Sequence, residues 1–111
     1  MKRGNLKKIK PILKEVKETL QQVYKDRLKG IILYGSYARG DATEESDIDL
    51  IVLLDNVKDA NKEIGKCFKS ISEIELRYDT LISIISFRTV DFRIRRLPII
   101  LNAKREGINV L

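Results

Sequence analysis

The sequence has no histidine, no tryptophan, a single cysteine and two prolines. Without histidine no Ser-His-Asp triad can be assembled, and a zinc site would lack its usual nitrogen ligand. The one cysteine, Cys67, has no intrachain partner for a disulfide, as expected of a reducing, cytoplasmic setting. Aromatic residues make up only 6% of the chain, too few for a platform on which single-stranded nucleic acid could stack, so direct nucleic-acid binding is not expected. No apolar run reaches the length of a membrane span, and the basic N-terminus is not followed by the apolar stretch of a signal peptide. Repeats, low-complexity tracts and linkers are also missing.

With 111 residues, 43% of them apolar, the chain has material for one core and not for two, so a single domain over 1–111 is expected. Lysine and arginine number 22 against 16 acidic residues, a net charge of +6. That balance favours an anionic partner: nucleotide, nucleic acid or an acidic protein surface. The cations are spread over 2–29, 58–69 and 88–105, so most of them read as solvated helix faces.

Apolar residues at Leu6, Ile9, Ile12, Leu13, Val16, Leu20, Val23 and Leu28 keep helical spacing and predict one long amphipathic helix. Pro11 suits only a first turn, which places the regular helix from about residue 10, and Gly30 is its expected cap. Residues 31–34 and 48–54 read as buried strands separated by a turn-rich stretch, 35–46, with room for one helical turn. Asp55 and Asn56 suit the cap of a helix over 57–72, and 80–86 is strongly β-type. Beyond it lies a basic helix or loop, interrupted at Pro98, and then a last helix ending near Gly107. This order predicts an α/β (α+β) fold, a small mixed sheet with helices packed on it.

The chemistry is concentrated between residues 34 and 50, which read Tyr-Gly-Ser-Tyr-Ala-Arg-Gly-Asp-Ala-Thr-Glu-Glu-Ser-Asp-Ile-Asp-Leu. Gly35 lets backbone approach a ligand, and Ser36 adds a hydroxyl beside the N–H groups of the turn that follows. Arg39 offers a cationic fork for phosphate oxygens, and Gly40 keeps the return path open. Asp47 and Asp49 are one residue apart at the head of a strand, so alternation turns both carboxylates to one face. Two such acceptors suit a divalent cation, and magnesium binds through one or two carboxylates plus substrate phosphates. Taken singly, Gly-Ser is a common turn, Arg39 a surface charge and either aspartate a strand-entry residue. Their conjunction points to a nucleoside triphosphate.

Gly35-Ser36, ten intervening residues and Asp47-Ile48-Asp49 resemble the signature of the nucleotidyltransferase superfamily that includes DNA polymerase β and kanamycin nucleotidyltransferase. The resemblance is greatest to its minimal nucleotidyltransferases, many of which are the antitoxin partners of HEPN-domain ribonuclease toxins. It implies the polymerase β-like fold, ATP or another NTP as donor, magnesium (two ions) as cofactor, and transfer of a nucleoside monophosphate with release of pyrophosphate. By position it implies that Ser36 binds donor phosphate and that Asp47 and Asp49 are metal ligands. It also implies a third carboxylate on a neighbouring strand, a further metal ligand that helps activate the acceptor hydroxyl. Asp79, just before the apolar run 81–85, is the best placed for this role; Glu73 and Glu75 compete with it.

Relatives that act on drugs or RNA generally carry a second domain for the acceptor, and 111 residues leave nothing from which to build one. The expected acceptor is therefore a hydroxyl on a partner protein, a cognate HEPN toxin, which the chain would AMPylate within a hetero-oligomer. The alternative is a weak or inactive enzyme that neutralises the toxin by stoichiometric binding. A free-standing transferase acting on a small molecule or an RNA end is a third reading, with no acceptor-specific feature to argue for it.

Overall fold

Two apolar runs decide the architecture of the computed structural model, which describes residues 5–111. Strand β1 (Leu28–Tyr34) pairs antiparallel with β2 (Ile48–Leu54), setting Leu33 opposite Leu50 and Tyr34 opposite Asp49. A third strand, β3 (Ile82–Arg88), runs parallel to β2 in a register that places Ser83 beside Asp49. Parallel neighbours need a crossover, which here holds two helices, α3 (Ala60–Gly65) and α4 (Phe68–Tyr78). The described strands form one mixed sheet in the order β3-β2-β1-β4, where β4 is the short Ile108–Asn109.

Strand alternation gives the sheet two apolar faces. Ile31, Leu33, Ile48, Leu50, Val52 and Leu54 join the core built with α1 (Asn5–Tyr24) and α4. Ile51, Leu53 and Phe87 form a smaller core with Ile100 and Ala103 of α6 (Pro98–Glu106), which follows α5 (Thr89–Ile94). Asp49 has the parity of Ile51, so it belongs to the α5/α6 side, while Asp47 stands just before the strand at its head. Among the described residues no helix is long and apolar enough to cross a membrane.

Several boundaries differ from the sequence expectation. The described part of α1 already begins at Asn5, so Pro11 lies inside it and not in a first turn from residue 10. Pro11 is exposed, so the hydrogen bond it removes leaves a carbonyl that water can reach. The helix gives way at Tyr24 to a 3₁₀ turn (Lys25–Arg27), and Gly30 lies within β1 instead of capping α1. There, a β-carbon on Gly30 would come within 3.0 Å of the Leu53 side chain.

The helix expected over 57–72 is two helices, because the chain turns at 66–67 and buries Cys67 against Tyr24, Sγ to phenol oxygen 3.7 Å. Its cap is Asp59, whose Oδ1 accepts from the N–H groups of Asn61 and Lys62 at 3.1 and 3.2 Å, and not Asp55 or Asn56. Strand β3 begins and ends two residues later than 80–86. Pro98 opens α6 at a position where its missing N–H costs nothing.

Candidate active site

The loop between β1 and β2 is built around one backbone conformation that only glycine adopts easily. Gly35 has φ 75° and ψ −152°, and a β-carbon there would overlap the Asp49 carboxylate. The backbone of the Gly-Ser turn therefore lies directly against the second aspartate, although thirteen residues separate Gly35 from Asp49 in the chain. From Gly35 the chain makes one helical turn, α2 (Ser36–Arg39), closed by the Arg39 N–H on the Gly35 carbonyl at 3.0 Å and the Gly40 N–H on that of Ser36 at 3.0 Å. Gly40 is left-handed (φ 84°) and reverses the chain.

A second turn delivers Asp47 to the head of β2. The Thr43 N–H donates to Ser46 Oγ at 2.9 Å, and the Ser46 N–H returns to the Thr43 carbonyl at 3.1 Å. Asp47 is exposed and Asp49 half-buried. Burial first, and then the Asp47 charge, push the Asp49 carboxyl above its ordinary range, while the Arg39 guanidinium offsets part of this. The Tyr34 phenol is likewise raised, by burial and by the Asp49 charge. Asp47, Asp49, Arg39 and Tyr34 are thus close enough to feel one another's charge or burial. Arg39 also reaches Asp41 at 3.4 Å, an exposed pair that contributes little to stability.

Asp79 occupies a different kind of position. It caps α4 in the left-handed region (φ 50°, ψ 54°), its N–H on the Glu75 carbonyl, and is exposed. It shares with Asp47 an open cavity of about 540 Å³, walled also by Glu44, Glu45, Leu76 and Leu81. Strand β3 itself reads Ile-Ser-Ile-Ile-Ser-Phe-Arg, so the place next to Asp49 holds the hydroxyl of Ser83 and no carboxylate. Of the competing acids, Glu75 is engaged on the Ile82 N–H at 2.8 Å and Glu73 is exposed on α4.

A smaller cavity, about 290 Å³, opens on the other side, between the Gly35 loop and α6, and is lined by Tyr34, Gly35, Arg39, Ile99, Asn102 and Glu106. The sequence reading missed Tyr34, Asn102 and Glu106. The only signal was that Ile99, Asn102 and Glu106 share one face of a helix by 3–4 spacing, a face that became meaningful once α6 was placed over β1.

The donor set can be tested against magnesium. Two carboxylates, one held above its ordinary range partly by the other, form a site whose repulsion a divalent cation would relieve. Among the described residues no three His, Cys, Asp or Glu side chains are gathered closely enough to hold a metal by themselves. This fits an ion that binds through one or two carboxylates and completes its shell with substrate phosphates and water.

A Gly-Ser turn seated on the strand-borne Asp49, with Asp47 just ahead of that strand, in a small mixed sheet is the arrangement of a nucleotidyltransferase site. The chain belongs to the nucleotidyltransferase domain family, whose pattern it matches over residues 13–104. It is 44% identical over 77 residues to "putative protein adenylyltransferase MJ0141" of Methanocaldococcus jannaschii, covering 69% of this chain and 77% of that protein. To "putative protein adenylyltransferase MJ0604" of the same organism it is 44% identical over 73 residues, 66% of this chain and 67% of the other. Among solved structures, a toxin–antitoxin crystallised with AMP-PNP superposes with a TM-score of 0.64 at 19% identity, over 89% of this chain and 72% of that one. A nucleotidyltransferase-like protein of Sulfolobus solfataricus superposes at 0.51 with 20% identity, over 87% and 77%. At these identities the structural likenesses establish the fold.

Proposed function

We propose that this chain is a magnesium-dependent protein adenylyltransferase that moves AMP from ATP to a hydroxyl of a partner protein, and that it is the antitoxin of a cytoplasmic HEPN-type ribonuclease toxin. The observation that carries the enzymatic reading is the seating of the Gly35 backbone on Asp49, with Asp47 and Arg39 within electrostatic reach. Phosphate held at the Gly35-Ser36 turn would lie against the two carboxylates. The names of the sequence relatives support a protein acceptor, and the toxin–antitoxin structures of the same fold support a toxin as that partner.

In this reading Ser36 and the turn's N–H groups bind donor phosphate, and Arg39 offsets its charge. Asp47 and Asp49 would hold magnesium, which supplies neutralisation of the phosphate charge. The acceptor oxygen forms a bond to the α-phosphorus as the bond from that phosphorus to the β-bridging oxygen breaks and pyrophosphate leaves. The hydroxyl proton passes to a carboxylate on the Asp47 side, where Asp79 stands in the larger cavity.

The missing carboxylate on β3 favours a second reading, in which transfer is slow and the partner is neutralised by binding alone. One experiment separates the two. ATP labelled at the α-phosphate is incubated with magnesium, the chain and the product of the adjacent gene as the candidate toxin, using wild type and the double variant Asp47→Asn, Asp49→Asn. Label should enter the toxin only with wild type. A double variant that fully neutralises the toxin without labelling it would overturn the enzymatic reading.

A further inference from the structure

We infer that the cavity between the Gly35 loop and α6 is a ribonucleoside subsite, in which Glu106 accepts hydrogen bonds from the sugar hydroxyls. The inference rests on the donor-binding reading above and specifies what lies beyond the phosphates.

Position comes first. The cavity shares Gly35 and Arg39 with the phosphate turn, and Tyr34 links it to the carboxylates, since the register sets Tyr34 opposite Asp49. A donor whose phosphates lie at Ser36 and Arg39 therefore has its remaining part directed into this space or out to solvent. Size comes next. About 290 Å³ falls at the lower end of small-molecule sites, enough for a nucleoside and too little for a whole triphosphate. The larger cavity, bounded by α4, is lined by acids and has no lysine or arginine among its lining residues.

The lining then fits a nucleoside in kind. The Tyr34 ring and Ile99 supply aromatic and apolar walls of the sort on which a base stacks. Asn102 Oδ1 accepts from Arg105 Nη2 at 2.7 Å, which fixes the amide and leaves its NH₂ as a donor; every nucleobase carries a ring or carbonyl acceptor. Glu106 is half-buried, has no ion-pair partner among the described residues, and is an acceptor-only group when ionised. An unpaired carboxylate in a nucleotide site has one good use, which is to accept from ribose hydroxyls, the only neutral donors on the sugar.

The prediction is discrimination by the 2′-hydroxyl. Calorimetric titration with magnesium present compares ATP, 2′-deoxy-ATP and inorganic tripolyphosphate on wild type and on Glu106→Ala, whose fold is checked by circular dichroism. Wild type should bind ATP at least about tenfold more tightly than 2′-deoxy-ATP, the worth of one charge-assisted hydrogen bond. Tripolyphosphate should bind more weakly than ATP. In Glu106→Ala the two nucleotides should converge while tripolyphosphate is unchanged. Equal binding of ATP and 2′-deoxy-ATP by wild type, or a Glu106→Ala loss that extends equally to tripolyphosphate, overturns the subsite. Failure of label transfer to the toxin, with the ATP to 2′-deoxy-ATP gap intact, would overturn the transferase reading and leave the subsite standing. Absence of binding by all three ligands overturns both.

Discussion

Replacing Gly35 by alanine tests how closely the Gly-Ser turn and Asp49 are joined. The φ of 75° and ψ of −152° lie in a region that is almost restricted to glycine, and a residue forced there costs about 1–3 kcal/mol. The added β-carbon would also overlap the Asp49 carboxylate, and overpacking of this kind adds about 1–3 kcal/mol. Gly35→Ala should therefore lose about 2–6 kcal/mol in urea denaturation, a melting point lowered by roughly 8–25 °C. The two causes separate in a double-mutant cycle with Asp49→Ala. That change removes the clashing oxygen and leaves the Asp49 β-carbon 3.4 Å from the new one, an ordinary contact. The double variant should then recover the steric part and keep only the backbone strain, for a coupling energy of about 1–3 kcal/mol. A coupling below about 0.5 kcal/mol would show that the turn does not rest on Asp49, and the enzymatic reading would lose the observation that carries it.

Other outcomes follow from the same structure. Asp49→Asn should raise the urea midpoint in EDTA, because it removes a half-buried charge repelled by Asp47, while abolishing transfer. Tyr24→Phe should cost about 0.5–1.5 kcal/mol, the net worth of one hydrogen bond, since the buried phenol donates to the Glu63 carbonyl, which keeps the Lys66 N–H as its other donor. The Tyr24 phenol is raised above its ordinary value of about 10, first by burial and then by its contact with Cys67. Its stabilising contribution is thus complete below pH ~10 and lost as pH rises, because the unfolded chain ionises first. Tyr24→Phe should accordingly flatten the alkaline limb of a stability–pH profile. Pro11→Ala should stabilise the protein by about 1–3 kcal/mol in thermal denaturation, because an interior, exposed helix position regains a hydrogen bond.

What could be read in advance was local. Residues 35–49 carry their geometry in short-range features: a glycine before a turn, and an apolar run that starts a strand at Ile48 and sets Asp49 within it. The mixed sheet with helices on it was legible from the order of apolar runs. What was not legible depends on how distant segments meet. The neighbour of Asp49 on β3 is fixed by a parallel register across 34 residues, and it is Ser83, four positions beyond Asp79. The split of 57–72 follows from burying Cys67 against Tyr24, a contact between residues 43 apart. Strand β4 is two residues long, too short to leave a pattern, and Pro11 is tolerated because of which side of α1 faces water.

That two-residue strand has a mechanical consequence. Helix α6, which carries Asn102 and Glu106, is anchored at its C-terminal end by the pairing of Ile108 and Asn109 with Leu33 and Ile32 and by the Val110 N–H on the Ile31 carbonyl at 2.8 Å. So few bonds can part in a local opening that leaves the rest of the sheet intact. The wall of the smaller cavity is thus a hinged panel with a weak latch. Amide exchange at Val110 should run ahead of exchange at Ile51, and slow when a nucleotide fills the space behind the panel.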